Sequence, residues 1–208
     1  MKILLENTGK KFNTEWIFRD LSFTFEENEA CAILGRNGSG KSTLLQVIAG
    51  NLQPTSGTVK YIEGNKEISN QRVFRYLTLV APYQELVEEF TLAEMLKFHF
   101  SFKPLMPGLS FSDIDKLLGF RNAGDKPIRL FSSGMRQRVK LILAILSNTP
   151  VLLLDEPTIN LDKAGIEWYL ELMAKFSNDR IVIVCSNLRE METAFCHTSL
   201  SIEDYKRK

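Results

Sequence analysis

Cysteine, histidine and long apolar runs are scarce in this 208-residue chain, and the two signs of charge almost cancel. The 3 cysteines, Cys31, Cys185 and Cys196, are odd in number and too widely spaced for a disulfide framework or a metal knuckle. Cys31 and Cys185 fall inside apolar runs and read as small buried hydrophobes. Lysine and arginine number 26 against 25 acidic residues, so no strong field exists to attract nucleic acid or an acidic membrane surface. No nucleic-acid partner is expected. No stretch approaches the roughly 18 apolar residues of a membrane helix. Met1-Lys2-Ile3-Leu4-Leu5-Glu6 is too short an apolar run for a signal peptide. A cytosolic chain without direct membrane insertion is the expectation. Internal repeats and low-complexity stretches are also absent, and only the tail Tyr205-Lys206-Arg207-Lys208 looks unstructured.

What remains is enough for one α/β domain with an insertion. Leu21, Phe23 and Phe25 alternate with polar residues as in a half-exposed strand, a polar turn follows, and Ala30 to Leu34 run as a buried strand. A glycine-rich stretch leads at once into an apolar helical segment through Leu44, Leu45, Val47 and Ile48, which Gly50 ends. The character turns helical near residue 86. Thr91 and Glu94 have capping-box spacing, Pro104 and Pro107 stop that helix, and a short helix from Asp113 to Leu118 is stopped by Gly119. A helix through Val139 and Leu146 then precedes a strand Val151 to Leu154, a helix Lys163 to Phe176 and a strand Ile181 to Cys185. Strands separated by helices imply a parallel sheet covered on both faces.

The chemistry sits at two strand ends. Gly35-Arg36-Asn37-Gly38-Ser39-Gly40-Lys41-Ser42, followed by Thr43, fits G-x-x-x-x-G-K-[ST] between a buried strand and a helix. Its glycines let backbone N–H groups wrap a β-phosphate at the positive helix end. Lys41 adds a point charge, and Ser42 can ligate Mg²⁺. Val151 to Leu154 delivers Asp155 at a carboxyl end, where it can hold Mg²⁺, and Glu156 next to it is placed to orient or deprotonate an attacking water.

These motifs and several others resemble the ABC ATPase family over essentially the whole chain. Phe131-Ser132-Ser133-Gly134-Met135-Arg136-Gln137-Arg138 looks like the family signature, and Ile159-Asn160-Leu161-Asp162 resembles its D-loop. The resemblance implies a phosphate-loop NTPase with a parallel-sheet core and an antiparallel β segment, a RecA-like core in residues 1–85 and 131–208, and a helical subdomain at about 86–130. It implies that Ser132, Ser133, Gly134 and Asp162 meet ATP held by another subunit, in a homodimer or heterodimer. It also implies a peripheral place on the inner face of the cell membrane, through transmembrane permease subunits. Phe12 stands where the family stacks an aromatic on adenine, with a core role and Trp16 as competing readings.

Two positions depart from the family. The switch histidine should fall in Val184-Cys185-Ser186-Asn187-Leu188, where Asn187 stands; asparagine can donate a hydrogen bond but carries no proton or charge at neutral pH. The glutamine that touches metal and water in the family has its nearest counterpart in Gln84, which falls one or two positions late and reads equally as a solvated loop residue. A transporter motor is the leading reading. A slow ATP-binding regulator, with Asn187 limiting turnover, is the alternative.

Overall fold

A computed structural model describes residues 1–121, 123–187 and 190–206. Leu188 of the switch segment and Arg207 and Lys208 of the tail lie outside them. Among the described residues the strands form two sheets. β1 (Lys2–Phe12), β2 (Glu15–Glu26), β4 (Ser56–Glu63) and β5 (Lys66–Ile68) make an antiparallel sheet in the order β2-β1-β4-β5. The second sheet is parallel, in the order β6-β7-β8-β3-β9, from β3 (Ala30–Leu34), β6 (Leu77–Val80), β7 (Val151–Asp155), β8 (Ile181–Ser186) and β9 (Thr198–Ser201).

The strands predicted on either side of residues 26 to 29 do not pair with each other. β2 stays on the antiparallel sheet, and after the turn β3 crosses to the centre of the parallel one. Burial explains the difference: β2 alternates between core and solvent, whereas Cys31, Ala32 and Ile33 are covered on both faces. Helix α1 (Lys41–Ile48) fills the space between the two sheets, where Leu44, Leu45 and Ile48 pack against Ile3, Phe25 and Ile33.

The far face of the parallel sheet carries α4 (Ser133–Ile145) and α5 (Lys163–Phe176). The expected insertion contributes α2 (Leu92–Phe102) and α3 (Phe111–Leu118). Thr91 and Glu94 form the capping box anticipated for α2. A second box, Ser110 with Asp113, starts α3 two residues before the predicted Asp113. The insertion has no private core. Leu92, Leu96, Ile114 and Leu118 share one with α4, β7 and α5, and Arg136 of α4 meets Glu88 at 2.8 Å. The tail departs from expectation too. Ile202–Tyr205 form a 3₁₀ turn whose buried Ile202 leans on the phosphate loop, and Tyr205 packs on the core.

The α2 residue His99 faces inward, its Nε2 2.9 Å from the Ser147 hydroxyl, and burial first, then the nearby Lys103 ammonium, pushes its imidazole down to about 4. Between that value and the ordinary 6.5 the unfolded chain binds a proton that the native state does not, so stability is lost as pH falls through this window. Replacing His99 with Gln is expected to reduce the stability lost between pH 7 and 5 by about 1 kcal/mol, after discounting for the ring's partial exposure. Urea midpoints at the two pH values check it.

Candidate nucleotide site

The stretch between β3 and α1 takes backbone conformations that favour glycine. Gly38 has φ 73° and Gly40 φ 104°, both left-handed, and a Cβ at Gly40 would lie 2.4 Å from Cγ2 of Ile17. Gly40 brings no side chain to cap α1, so the first N–H groups of that helix stay open to an anion at its positive end. The resulting depression, about 250 Å³, is lined by Asn37 to Thr43, Ile17 and Glu156. Arg36 turns outward, where its backbone N–H and its Nε both donate to the Glu203 carboxylate at 3.1 Å.

Lys41 is only 4% exposed. Its ammonium donates to the carbonyls of Gly35 at 2.7 Å and Arg36 at 3.1 Å, and to Oδ1 of Asn187 at 2.5 Å. The other end of that amide continues the chain of contacts, because Nδ2 of Asn187 donates to Oε1 of Glu156 at 2.6 Å. Glu156 reaches this position with φ 47°, an uncommon left-handed value for a residue with a side chain, its N–H held by the Cys185 carbonyl at 3.0 Å. The structure thus joins Lys41, at the start of α1, to Asn187 and Glu156, each one residue past the end of β8 and β7, in one hydrogen-bonded relay.

Asp155 ends β7 beside them and is 1% exposed. Burial pushes its carboxyl up, the Ser42 hydroxyl pulls it back, and Oδ1 has no hydrogen-bond partner. A buried carboxylate oxygen lacking a protein donor, set near a hydroxyl, fits a hard divalent cation that takes oxygen ligands.

Gln84 does not join this group. Its Oε1 accepts from the N–H of Ala81 at 3.0 Å, which folds the side chain onto its own loop, and it lines a groove on the other side. The reason is register. Val80 of β6 lies level with Leu154 of β7, so the loop draws level with Asp155 at Ala81, and Gln84 is already past it. Tyr83, although 51% exposed, stands nearer the site than sequence reasoning placed it: burial and then the Asp155 charge push its phenol up. Only the cross-strand register would have pointed to it.

Phe12 is 46% exposed near the β1–β2 turn, with the Lys10 ammonium 5.2 Å from its ring. Trp16 carries Lys11 and Arg19 over its ring at 5.7 and 5.1 Å. Neither lines the phosphate depression; the aliphatic Ile17 does, a contact that no sequence motif marks.

The remaining predicted residues gather in a separate depression of about 400 Å³, where Ser132, Ser133, Gly134 and Asp162 share walls with Asn160 and Leu161. Ser132 caps α4 by accepting from the N–H of Met135 at 3.2 Å, and Asp162 caps α5 by accepting from that of Gly165 at 2.8 Å. The two caps aim two helix starts at one hollow. A Cβ at Gly134 would sit 3.0 Å from the Asn160 carbonyl, so glycine there lets the two segments touch.

Comparison with known proteins agrees with this geometry. Residues 18–159 match the model of the ABC transporter family. The cytochrome c biogenesis ATP-binding export protein CcmA of Agrobacterium fabrum is 34% identical over 178 residues, covering 83% of this chain and 82% of that protein. Among solved structures, an ATP-binding ABC transporter protein of Pyrococcus furiosus superposes over 100% of both chains with TM-score 0.83 at 20% identity. A bacterial ABC transporter cassette solved as a dimer superposes with TM-score 0.79 at 23% identity, over 96% of this chain and 94% of its own. The chain belongs to the ABC transporter family, as an ATP-binding subunit with ATPase activity.

Proposed function

We propose that the chain is the motor of a transporter: two such subunits, identical or related, enclose ATP and Mg²⁺ head to tail and drive a separate membrane permease. One observation carries this reading. The phosphate loop with Glu156, and the Ser132-Ser133-Gly134 helix start with Asp162, line separate depressions, so each needs a partner surface to enclose a nucleotide. In the paired arrangement Lys41 and the α1 N-terminus hold the β- and γ-phosphates, Ser42 and Asp155 hold Mg²⁺, and Glu156 accepts a proton from the attacking water. Mg²⁺, when bound, neutralises charge developing on the phosphates.

In this proposal residues 1–85 and 131–208 bind nucleotide, and the segment 86–130 faces the permease. A groove of about 470 Å³ lined by Gln84, Glu85, Leu86 and Met95 supports it, with Phe98 46% and Phe102 71% exposed nearby. Among the described residues no helix is long and apolar enough to cross a membrane, so the spanning element belongs to another chain in this reading. The subunit would then sit peripherally on the inner face of the membrane. CcmA is named an export protein; export from the cell is the corresponding direction proposed here.

Phosphate release from Mg-ATP, measured over a range of protein concentrations, tests the pairing. A rate per subunit that rises with concentration is the expected result; a constant rate at every concentration would sink it. A second reading, an ATP-binding regulator of slow turnover, is favoured by the neutral Asn187 between Lys41 and Glu156. It predicts concentration-dependent pairing with nucleotide but less than one turnover per minute.

A further inference from the structure

Among the described residues only Asp155 and Glu192 are buried acids, and the chemistry above uses only the first. Glu192 ends the 3₁₀ turn Glu190–Glu192 beyond the switch segment and is 1% exposed. A carboxylate so far from water needs hydrogen-bond donors around it. Two of them are Thr158, in the segment after β7, and Ser186, the last residue of β8. Oε1 accepts from the hydroxyl of Thr158 and from its N–H at 3.4 Å, and Oε2 accepts from the Ser186 hydroxyl at 2.6 Å. Thr158 and Ser186 are themselves 2% and 0% exposed, so water offers neither a ready substitute.

These two segments also carry Glu156 and Asn187. Thr158 lies two residues after Glu156, and Ser186 immediately precedes Asn187. Following the contacts round, Glu156 leads through Pro157 to Thr158, across Glu192 to Ser186, then to Asn187 and back to Glu156 over the 2.6 Å amide bond. The ring is closed by Glu192, which lies in the β8–β9 connection five residues after Asn187 and reaches across to Thr158. The Tyr169 hydroxyl of α5 reaches the Glu192 carbonyl at 3.4 Å, which anchors the ring to the helical layer.

We infer that Glu192 is a positioning residue for hydrolysis: its carboxylate ties Thr158, in the segment after β7, to Ser186 at the end of β8, and so sets the separation between Glu156 and Asn187. It does not line the phosphate depression. The inference rests on the reading of Glu156 and Asn187 as the groups that act on the γ-phosphate and its attacking water.

Length and charge can be separated. Aspartate keeps the charge but is one methylene shorter, so it cannot reach both Thr158 and Ser186. Glutamine keeps the reach, with its carbonyl oxygen toward Thr158 and its NH₂ donating to the Ser186 oxygen. Glu192→Asp and Glu192→Gln would be assayed by single-turnover hydrolysis and by binding of a fluorescent ATP analogue, with thermal melts of each, and Glu156→Gln as the control. The expected result is a hydrolysis rate lowered about tenfold in Glu192→Asp, consistent with removal of one or two positioning hydrogen bonds. Glu192→Gln should recover most of that loss, and analogue affinity should stay within about twofold in both. Wild-type hydrolysis in Glu192→Asp overturns the inference. So does a loss of binding and of melting temperature in step with the rate, which marks a purely structural carboxylate. Should Glu192→Asp fail to fold, Thr158→Val and Ser186→Ala each remove one arm of the bridge; neither slowing hydrolysis would equally overturn it. Retained hydrolysis in Glu156→Gln would instead overturn the reading of Glu156, whatever Glu192 does.

Discussion

Glu156→Gln is expected to leave ATP bound and to cut phosphate release by about 10²- to 10⁴-fold, the range a positioned general base contributes. The geometry separates the two effects. Oε1 of Glu156 accepts the Asn187 amide at 2.6 Å, and a glutamine oxygen in its place accepts the same bond. The ring of contacts therefore survives, and Lys41 keeps its partner in Asn187. What is lost is the proton acceptor, since an amide does not take a proton from water at neutral pH. ATP that binds but is not hydrolysed should also hold paired subunits together, so size-exclusion chromatography of the variant with Mg-ATP should show a stable dimer. A variant that releases phosphate within about threefold of wild type would remove Glu156 from the chemistry. Aspartate at the same position would be less informative, because its shorter side chain withdraws the carboxylate from Asn187 as well as from the attacking water.

How much of this could be read from the chain depends on the range of each interaction. The phosphate loop, the Asp155-Glu156 strand end and the Thr91 capping box are local, carried by residues a few positions apart, and the sequence shows them directly. The Ser110 box is equally local but went unread, because an acid in the N3 place passes easily for the start of the helix itself. Long-range pairings leave no such trace. β9 is a short polar strand that β3 recruits from the far end of the chain, and Ile202 is held against Gly35 and Gly40 by that pairing. The place of Gln84, apart from the Asp155 group, has the same origin. Residue type suggested glutamine, whereas the β6–β7 register decides which loop atom faces Asp155 and brings Tyr83 closer. Glu192 carries no motif at all, and its importance comes from Thr158 and Ser186 lying on either side of it in space.

Asn187→Ala should slow hydrolysis by about 10- to 100-fold, and the substitution series at this position distinguishes the two functional readings. Only one orientation of the amide suits its neighbours, with Oδ1 toward the Lys41 ammonium at 2.5 Å and Nδ2 toward the Glu156 carboxylate at 2.6 Å. Alanine removes both contacts, and losing hydrogen bonds to charged groups costs about 1.5 to 3 kcal/mol, which gives the expected factor. Aspartate should be worse than alanine, because a second carboxylate beside Glu156 repels it and holds Lys41 in an ion pair against the phosphate. Histidine tests the family difference. An amide has no ionisation near neutrality, so the native enzyme should show no rate change arising from this position between pH 6 and 8. Asn187→His introduces a group of ordinary value about 6.5 next to both an ammonium and a carboxylate, and a new limb should enter the profile. If Asn187→His also turns over at least tenfold faster than the native chain, the asparagine is a brake and the slow regulator is the better reading. If histidine is no faster and alanine is much slower, the amide is a working component of the site, because the second N–H of its Nδ2 can donate toward the γ-phosphate while the first stays on Glu156.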